Sequence, residues 1–270
     1  MPGERLAAAL ERTPPWVSYY GSGRLAQLSR FGLVDIDVER GADNYRAADV
    51  ARLHGAGAVV ISYLNVGAAE TFRAYWPGVR RFAVQPHQGY PGEFWMRVER
   101  AGYRRVLLEE VAPELVRAGV DGFYLENLDI VQERFATGAT VRAVVAFLSA
   151  LRAAYPNLII VAQNGLDTLG KRDADGVPVY SLVDAEAKED PSTTYAGGDY
   201  RRVAPAASEA TLDRLSMWRD RGLPILTLDY ADRLGLARYA HRRSIERGFF
   251  PYLCVIDLDR VCPWSSNGGG

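Results

Sequence analysis

The feature that most constrains the fold is a recurring unit: a helix-like stretch, a glycine, then a short apolar run ending in polar residues. Ala47–His54 passes through Gly55 and Gly57 into Ala58–Asn65, and Leu107–Ala118 through Gly119 into Asp121–Asn127. Ala143–Tyr155 leads into Leu158–Asn164. Leu212–Arg221 passes through Gly222 into Pro224–Tyr230, and Leu236–Arg247 through Gly248 into Phe249–Ile256. Glycine ends a helix well because it enters the left-handed region without penalty; the one helix lacking it is closed by Pro156. Trp16–Tyr20, Leu33–Val38, Phe94–Val98 and Ser181–Glu189 raise the strand candidates to nine.

Strands alternating with helices of this length need parallel crossovers, so the class is α/β. Eight units in about 250 residues match a closed (β/α)8 TIM barrel. The surplus candidate is Phe94–Val98, which follows the Pro- and Gly-broken segment Pro77–Gly92 without a helix; it is read as an extra short strand in an insertion after the third strand. A doubly wound open sheet is the alternative, but no G-x-G-x-x-G follows an early strand. With no low-complexity linker, residues 1–264 read as a single barrel domain and 265–270 as a flexible tail.

Composition narrows the partners. Lys plus Arg number 32 and Asp plus Glu 33, a net charge of −1, which leaves no basic surface for nucleic acid. No apolar run approaches the roughly 18 residues of a membrane span. The opening MPGERLAAALERTPP has charges on both sides of its apolar stretch, unlike a secretory signal, so the residues leave the compartment open. Cys254 and Cys262 are expected to be two separate thiols, and a chain of this kind is expected to be monomeric.

In a parallel barrel the carboxyl ends of the strands meet at one mouth, where chemistry gathers. Those ends carry Tyr19 and Tyr20, Asp35 and Asp37, Tyr63 and Asn65, Glu126 and Asn127, Gln163 and Asn164, Glu186 and Glu189, and Asp229 and Tyr230. Packing alone does not ask for polar groups there. Alternation puts Glu126 on one face with Tyr124 and Gly122, and Glu189 with Ala187 and Ala185, so small residues leave room beneath each acid. Two acids facing each other across a cleft are what glycosidic cleavage needs: one protonates the leaving oxygen, the other attacks or activates water. The bland alternative is that both pair with a basic residue such as Lys188 or Arg97.

Tyr20, Tyr63, Tyr124, Tyr195, Tyr230 and Trp95 offer rings that sugars stack on. Asp35, Asp37, Glu70, Asp129, Asp190, Asp229 and Asp232 make the mouth acidic, with Lys188 the one lysine nearby, which favours a cationic ligand such as an amino-sugar polymer. A divalent metal is the competing use of such acids, but they come singly from separate strands, without a D-x-D-x-D-G loop. No metal or cofactor is expected. His54 is placed at a helix end beside its last carbonyls, His241 on the final helix and His87 in a loop. No G-x-S-x-G, H-E-x-x-H or P-loop occurs.

At these residues the chain resembles the endo-α-1,4-polygalactosaminidase group, glycoside hydrolase family 114 and related TIM barrels. The motifs are Trp16–Gly21 (WVSYYG), Val59–Glu70 (VVISYLNVGAAE), Ala118–Asp129 (AGVDGFYLENLD), Val183–Asp190 (VDAEAKED), Leu226–Ala231 (LTLDYA) and Gly248–Val261 (GFFPYLCVIDLDRV). The resemblance implies cleavage of an α-linked, galactosamine-containing polysaccharide outside the cell. It implies that Glu126 is the nucleophile or electrostatic stabiliser and Glu189 the general acid/base. Tyr20, Asp37, Tyr63, Asn65, Tyr124, Asn127, Asn164, Asp229 and Tyr230 are the expected substrate-binding residues. The family usually carries Asp where this chain has Glu126, a displacement of the carboxyl by about 1 Å, on the scale at which rates fall. A carbohydrate-binding barrel that has lost hydrolysis is therefore the alternative function.

Overall fold

The computed structural model describes residues 1–265; of the tail expected over 265–270, residues 266 onward lie outside the described residues. Eight parallel strands pair in chain order: β1 (Trp16–Tyr19), β2 (Leu33–Ile36), β3 (Val59–Asn65), β4 (Gly122–Glu126), β5 (Ile159–Gln163), β6 (Ala185–Glu189), β7 (Ile225–Tyr230) and β8 (Phe250–Cys254). This is the (β/α)8 architecture. Strands in such a barrel are covered on both faces, which is why β2, β5 and β7 are buried at every position. Among the described residues no ladder joins β1 to β8. Side chains close that seam: the Trp16 indole donates to the Phe250 carbonyl at 2.8 Å, and its ring lies 5.6 Å from that of Tyr252.

All five expected helices form. Four are followed by glycines at positive φ, Gly57 (78°), Gly119 (94°), Gly222 (89°) and Gly248 (69°), which turn the chain into β3, β4, β7 and β8. Helix Gly138–Ala154 starts at Thr137, whose hydroxyl accepts from the Ala139 amide at 3.1 Å, and stops before Pro156. The helix preceding β4 is longer than expected, spanning Ala101–Val106, a wider π turn at Leu107–Val111, and Ala112–Arg117. Pro113 has no amide hydrogen to return to the preceding turn, and the helix widens there.

Four features depart from or extend the sequence reading. Pro2–Leu10 is a helix that buries Leu6, Ala9 and Leu10 across the amino ends of the strands; Arg5 ties it to Asp121 (2.9 Å) and to the Asn157 carbonyl (2.8 Å). The insertion after β3 holds three antiparallel strands where one was expected: Ala68–Glu70, Ala83–Pro86 and, central between them, Glu93–Met96. A hairpin, Thr193–Ala196 with Asp199–Arg202, follows β6. Finally, Cys254 and Cys262 form a disulfide, correcting the expectation of separate thiols. The loop leaving β8 doubles back, with Leu258 in the left-handed region and its amide bonded to the Val255 carbonyl, bringing the two Cα atoms within 5.3 Å. Eight residues of separation carry no mark of that return.

Candidate active site

Three barrel strands end in the same way. β4 is followed by Asn127 (φ 59°), β5 by Asn164 (φ 55°) and β6 by Asp190 (φ 55°). Asn and Asp enter the left-handed region more readily than other non-glycine residues. The turn cancels the alternation of the strand, so consecutive residues, Glu126 with Asn127 and Glu189 with Asp190, both line the mouth. The insertion presses against this rim at Gly67, where a Cβ would sit 2.1 Å from the Asn127 carbonyl oxygen; glycine alone fits.

The cleft has a volume of about 700 Å³. Glu126 and Glu189, from the non-adjacent strands β4 and β6, both line it. Their environments differ. Glu189 accepts hydrogen bonds from Gln163 Nε2, from Asn164 Nδ2 (3.1 Å) and from the Tyr230 hydroxyl. Burial, then the charge of Glu189, pushes the Glu126 carboxyl well above the usual carboxylate range. Of the two, Glu126 is the carboxyl whose surroundings favour the protonated form. Pairing with Lys188 does not occur: its Nζ donates to Asn164 Oδ1 at 2.6 Å, which helps hold the amide whose other end reaches Glu189.

The opposite wall is built on Arg73, which the sequence reading missed. Only 4% exposed, its guanidinium donates to Asp37 (2.6 Å) and through two nitrogens to Glu70 (3.0 and 2.7 Å). It lies over the rings of Tyr63 and Phe72, 4.9 and 4.8 Å from their centroids. From Glu70 a chain of bonds crosses the floor: the Tyr63 hydroxyl donates to Glu70 (3.1 Å), Asn65 donates to Tyr63 (3.0 Å), and Asn127 donates to Asn65 (3.0 Å). The Asn127 amide then donates to Gln163 Oε1 (3.2 Å), and Gln163 to Glu189. Glu93, on the surplus strand, was missed as well; its Oε1 accepts from Asn65 and Asn127, each at 2.9 Å. Nothing in the local sequence marks Arg73. Glu93 lies just before the strand expected over Phe94–Val98, and only its position over the mouth brings it to the cleft.

Of the expected substrate-binding residues, Tyr20, Asp37, Tyr63, Asn127, Asn164 and Tyr230 line the cleft with the two glutamates. Asn65 and Tyr124 lie below the surface, each 1% exposed, Asn65 as a link in the floor network. Asp229 is turned the other way: its Oδ1 accepts from the amides of Ser192 (2.8 Å) and Thr193 (2.6 Å), fixing the start of the hairpin. Without a left-handed residue between them, Asp229 and Tyr230 point to opposite faces of β7. Asp35 is fully buried beneath the mouth, bonded by Ser18 (2.8 Å) and Tyr20 (2.7 Å). His87 stands at the cleft, whereas His54 pairs with Asp121 (2.8 Å) at the far end rather than with its own helix carbonyls. Among the described residues no group of three or more His, Cys, Asp or Glu is placed to hold a metal ion.

The buried acids give the fold a pH signature. Burial pushes Asp35 up to about 8 against its bonds from Tyr20 and Ser18, and burial together with Glu189 pushes Asp190 up to about 8. Both bind a proton more tightly folded than unfolded, so their contribution is complete below about pH 4 and is lost as pH rises toward 8. Thermal melts are expected to give a higher Tm at pH 5 than at pH 8, by several °C, given about 1.4 kcal/mol per pKa unit and about 2–4 °C per kcal/mol. A Tm that rises over this interval would contradict the assignment.

Comparison with known proteins supplies the family. The model of glycoside-hydrolase family GH114 matches residues 5–268. The chain belongs to family GH114. Within that frame, a protein of Deinococcus radiodurans is 28% identical over 255 residues, covering 90% of this chain and 79% of its own length. A protein of Thermotoga maritima is 23% identical over 239 residues, covering 80% and 71%. The glycoside hydrolase domain of PelA from Pseudomonas aeruginosa superposes with a TM-score of 0.78 at 25% identity, over 91% of this chain and 96% of that domain. Ega3 of Aspergillus fumigatus, solved as a complex with galactosamine, shares the fold (TM-score 0.71, 17% identity, 92% and 94% covered). In this GH114 chain Glu126 and Glu189 line one cleft of a fold shared with the PelA domain.

Proposed function

We propose that the protein hydrolyses an α-linked, galactosamine-containing cationic polysaccharide, with Glu126 and Glu189 as the catalytic pair. The observation that carries this reading is the meeting of two carboxyls at one cleft, with Glu126 pushed toward its protonated form by burial and by the charge of Glu189. Acid-assisted cleavage begins from that state: one carboxyl protonates the leaving oxygen and the other, ionised, stabilises or attacks the anomeric carbon or activates water. Family membership and the likeness to the PelA domain support the reaction class, and the galactosamine bound to Ega3 supports the choice of sugar. The roles implied by the resemblance follow if binding moves the proton. A sugar ammonium beside Glu126 stabilises its carboxylate, and the proton passes to Glu189, where the Tyr230 hydroxyl can reverse from donor to acceptor.

The test is reducing-end release by the purified protein from de-N-acetylated galactosaminan, its N-acetylated form and neutral glycans. Release from the cationic polymer is expected, and binding without release from any polymer would leave a carbohydrate-binding barrel. Aryl α-galactosaminides separate the two roles. With a leaving group that needs no proton, Glu189→Gln is expected to keep about a tenth or more of wild-type bond cleavage, whereas Glu126→Gln loses about 10²-fold or more. The reverse order would exchange the roles.

A further inference from the structure

We propose that Glu93, carried to the mouth by the antiparallel insertion after β3, recognises the ammonium group of the amino sugar and sets the preference for a de-N-acetylated substrate. The inference takes its substrate from the reading above and names the residue that selects it.

The argument begins with the acids that line the cleft: Asp37, Glu70, Glu93, Glu126, Asp129, Glu189 and Asp190. Asp37 and Glu70 are both ion-paired to Arg73. Glu126 and Glu189 are the reacting pair. Asp190 spends one oxygen on the Thr194 hydroxyl (2.9 Å), and burial keeps it protonated up to about 8. Asp129 is pushed by burial to about 6, with the charge of Lys188 as the largest opposing effect. Glu93 remains.

Its geometry fits a cation. The side chain is only 10% exposed, yet it lines the cleft. The two asparagine amides on Oε1 fix its orientation, and among the described residues none bonds Oε2 and no arginine or lysine pairs with the carboxylate. His87 Nδ1 lies 3.3 Å from Oε1 but is not aligned to donate to it. That imidazole is itself packed against Trp95 and Tyr90, at 4.2 and 4.6 Å between ring centroids. With Oε1 fixed by two amides and Oε2 free at the cleft, the carboxylate is placed to accept from a cation, and a sugar ammonium with three N–H donors suits it. An N-acetylated sugar offers one neutral N–H and leaves the charge uncompensated. Glu93 also lies near enough to Glu126 to act on it electrostatically, so an ammonium bonded to Glu93 stands beside the carboxyl whose ionisation the reaction requires.

The variant Glu93→Gln keeps the shape and can still accept from both asparagines while removing the charge. Calorimetric titration with a galactosamine tetrasaccharide and its fully N-acetylated counterpart, in wild type and Glu93→Gln, reads the selectivity directly. Wild type is expected to prefer the cationic oligomer, and the substitution to cut that preference by about 10–100-fold. Glu93→Asp, which keeps a carboxylate, is expected to retain part of the preference and guards against a folding artefact. Equal losses for both oligomers, an unchanged preference, or no binding of the cationic oligomer by wild type would each overturn the proposal. If wild type binds the cationic oligomer through Glu93 but releases no reducing ends, the hydrolase reading fails and this inference stands. If it hydrolyses the polymer and Glu93→Gln leaves the preference intact, the reverse holds.

Discussion

Glu189→Gln is expected to lower the turnover of de-N-acetylated galactosaminan by about 10²–10⁴-fold, the range lost when a positioned acid or base is removed. The fold should be unaffected. An amide at this position can still accept from Asn164 and Gln163, the Tyr230 hydroxyl can rotate to a new partner, and Ala185 and Ala187 beneath it are unchanged. Glu126→Gln is expected to cost a similar factor on the polymer while resembling the protonated form that burial favours at Glu126. Steady-state kinetics by reducing-end assay, with circular dichroism as a control on folding, measures both effects. Full activity in either variant would remove that residue from the reaction.

The largest effect on stability is expected at Arg73. Replacing it with Met keeps much of the apolar stem but leaves Asp37 and Glu70, and Glu39 at 3.8 Å, facing one another without a counter-ion. Breaking a buried ion pair by removing one partner typically costs about 3–5 kcal/mol. In a chain of this size that lowers Tm by about 10 °C, at 2–4 °C per kcal/mol. The cost comes from uncompensated charge, so adding Asp37→Asn and Glu70→Gln to Arg73→Met should recover most of it. A Tm loss below about 2 °C for Arg73→Met alone would mean that the network is not what holds this wall.

How much of this was readable in advance depends on the range of the interactions involved. Helix periodicity, the glycines that end helices, and apolar runs of strand length act over a few neighbouring residues, and they mark eight barrel strands and five helices before any contact is known. The same locality exposes Glu126 and Glu189, because a carboxylate above small residues at a strand end is a pattern within one segment. It fails at Asp229, where the outcome depends on whether the next residue turns left-handed. Asn127 and Asp190 do so, and Tyr230 remains in the strand.

The remainder of the site is made between segments distant in the chain. Arg73 matters because Asp37, 36 residues away, reaches it, and Glu93 because Asn65 and Asn127 converge on it from two barrel strands. Cys254 meets Cys262 because a loop folds back. By itself the sequence determined the barrel and the placing of Glu126 and Glu189 at strand ends, since local preferences and alternation suffice for both. Only the tertiary structure decided which charges are compensated and which face the cleft, because compensation depends on distances through space that no spacing along the chain encodes.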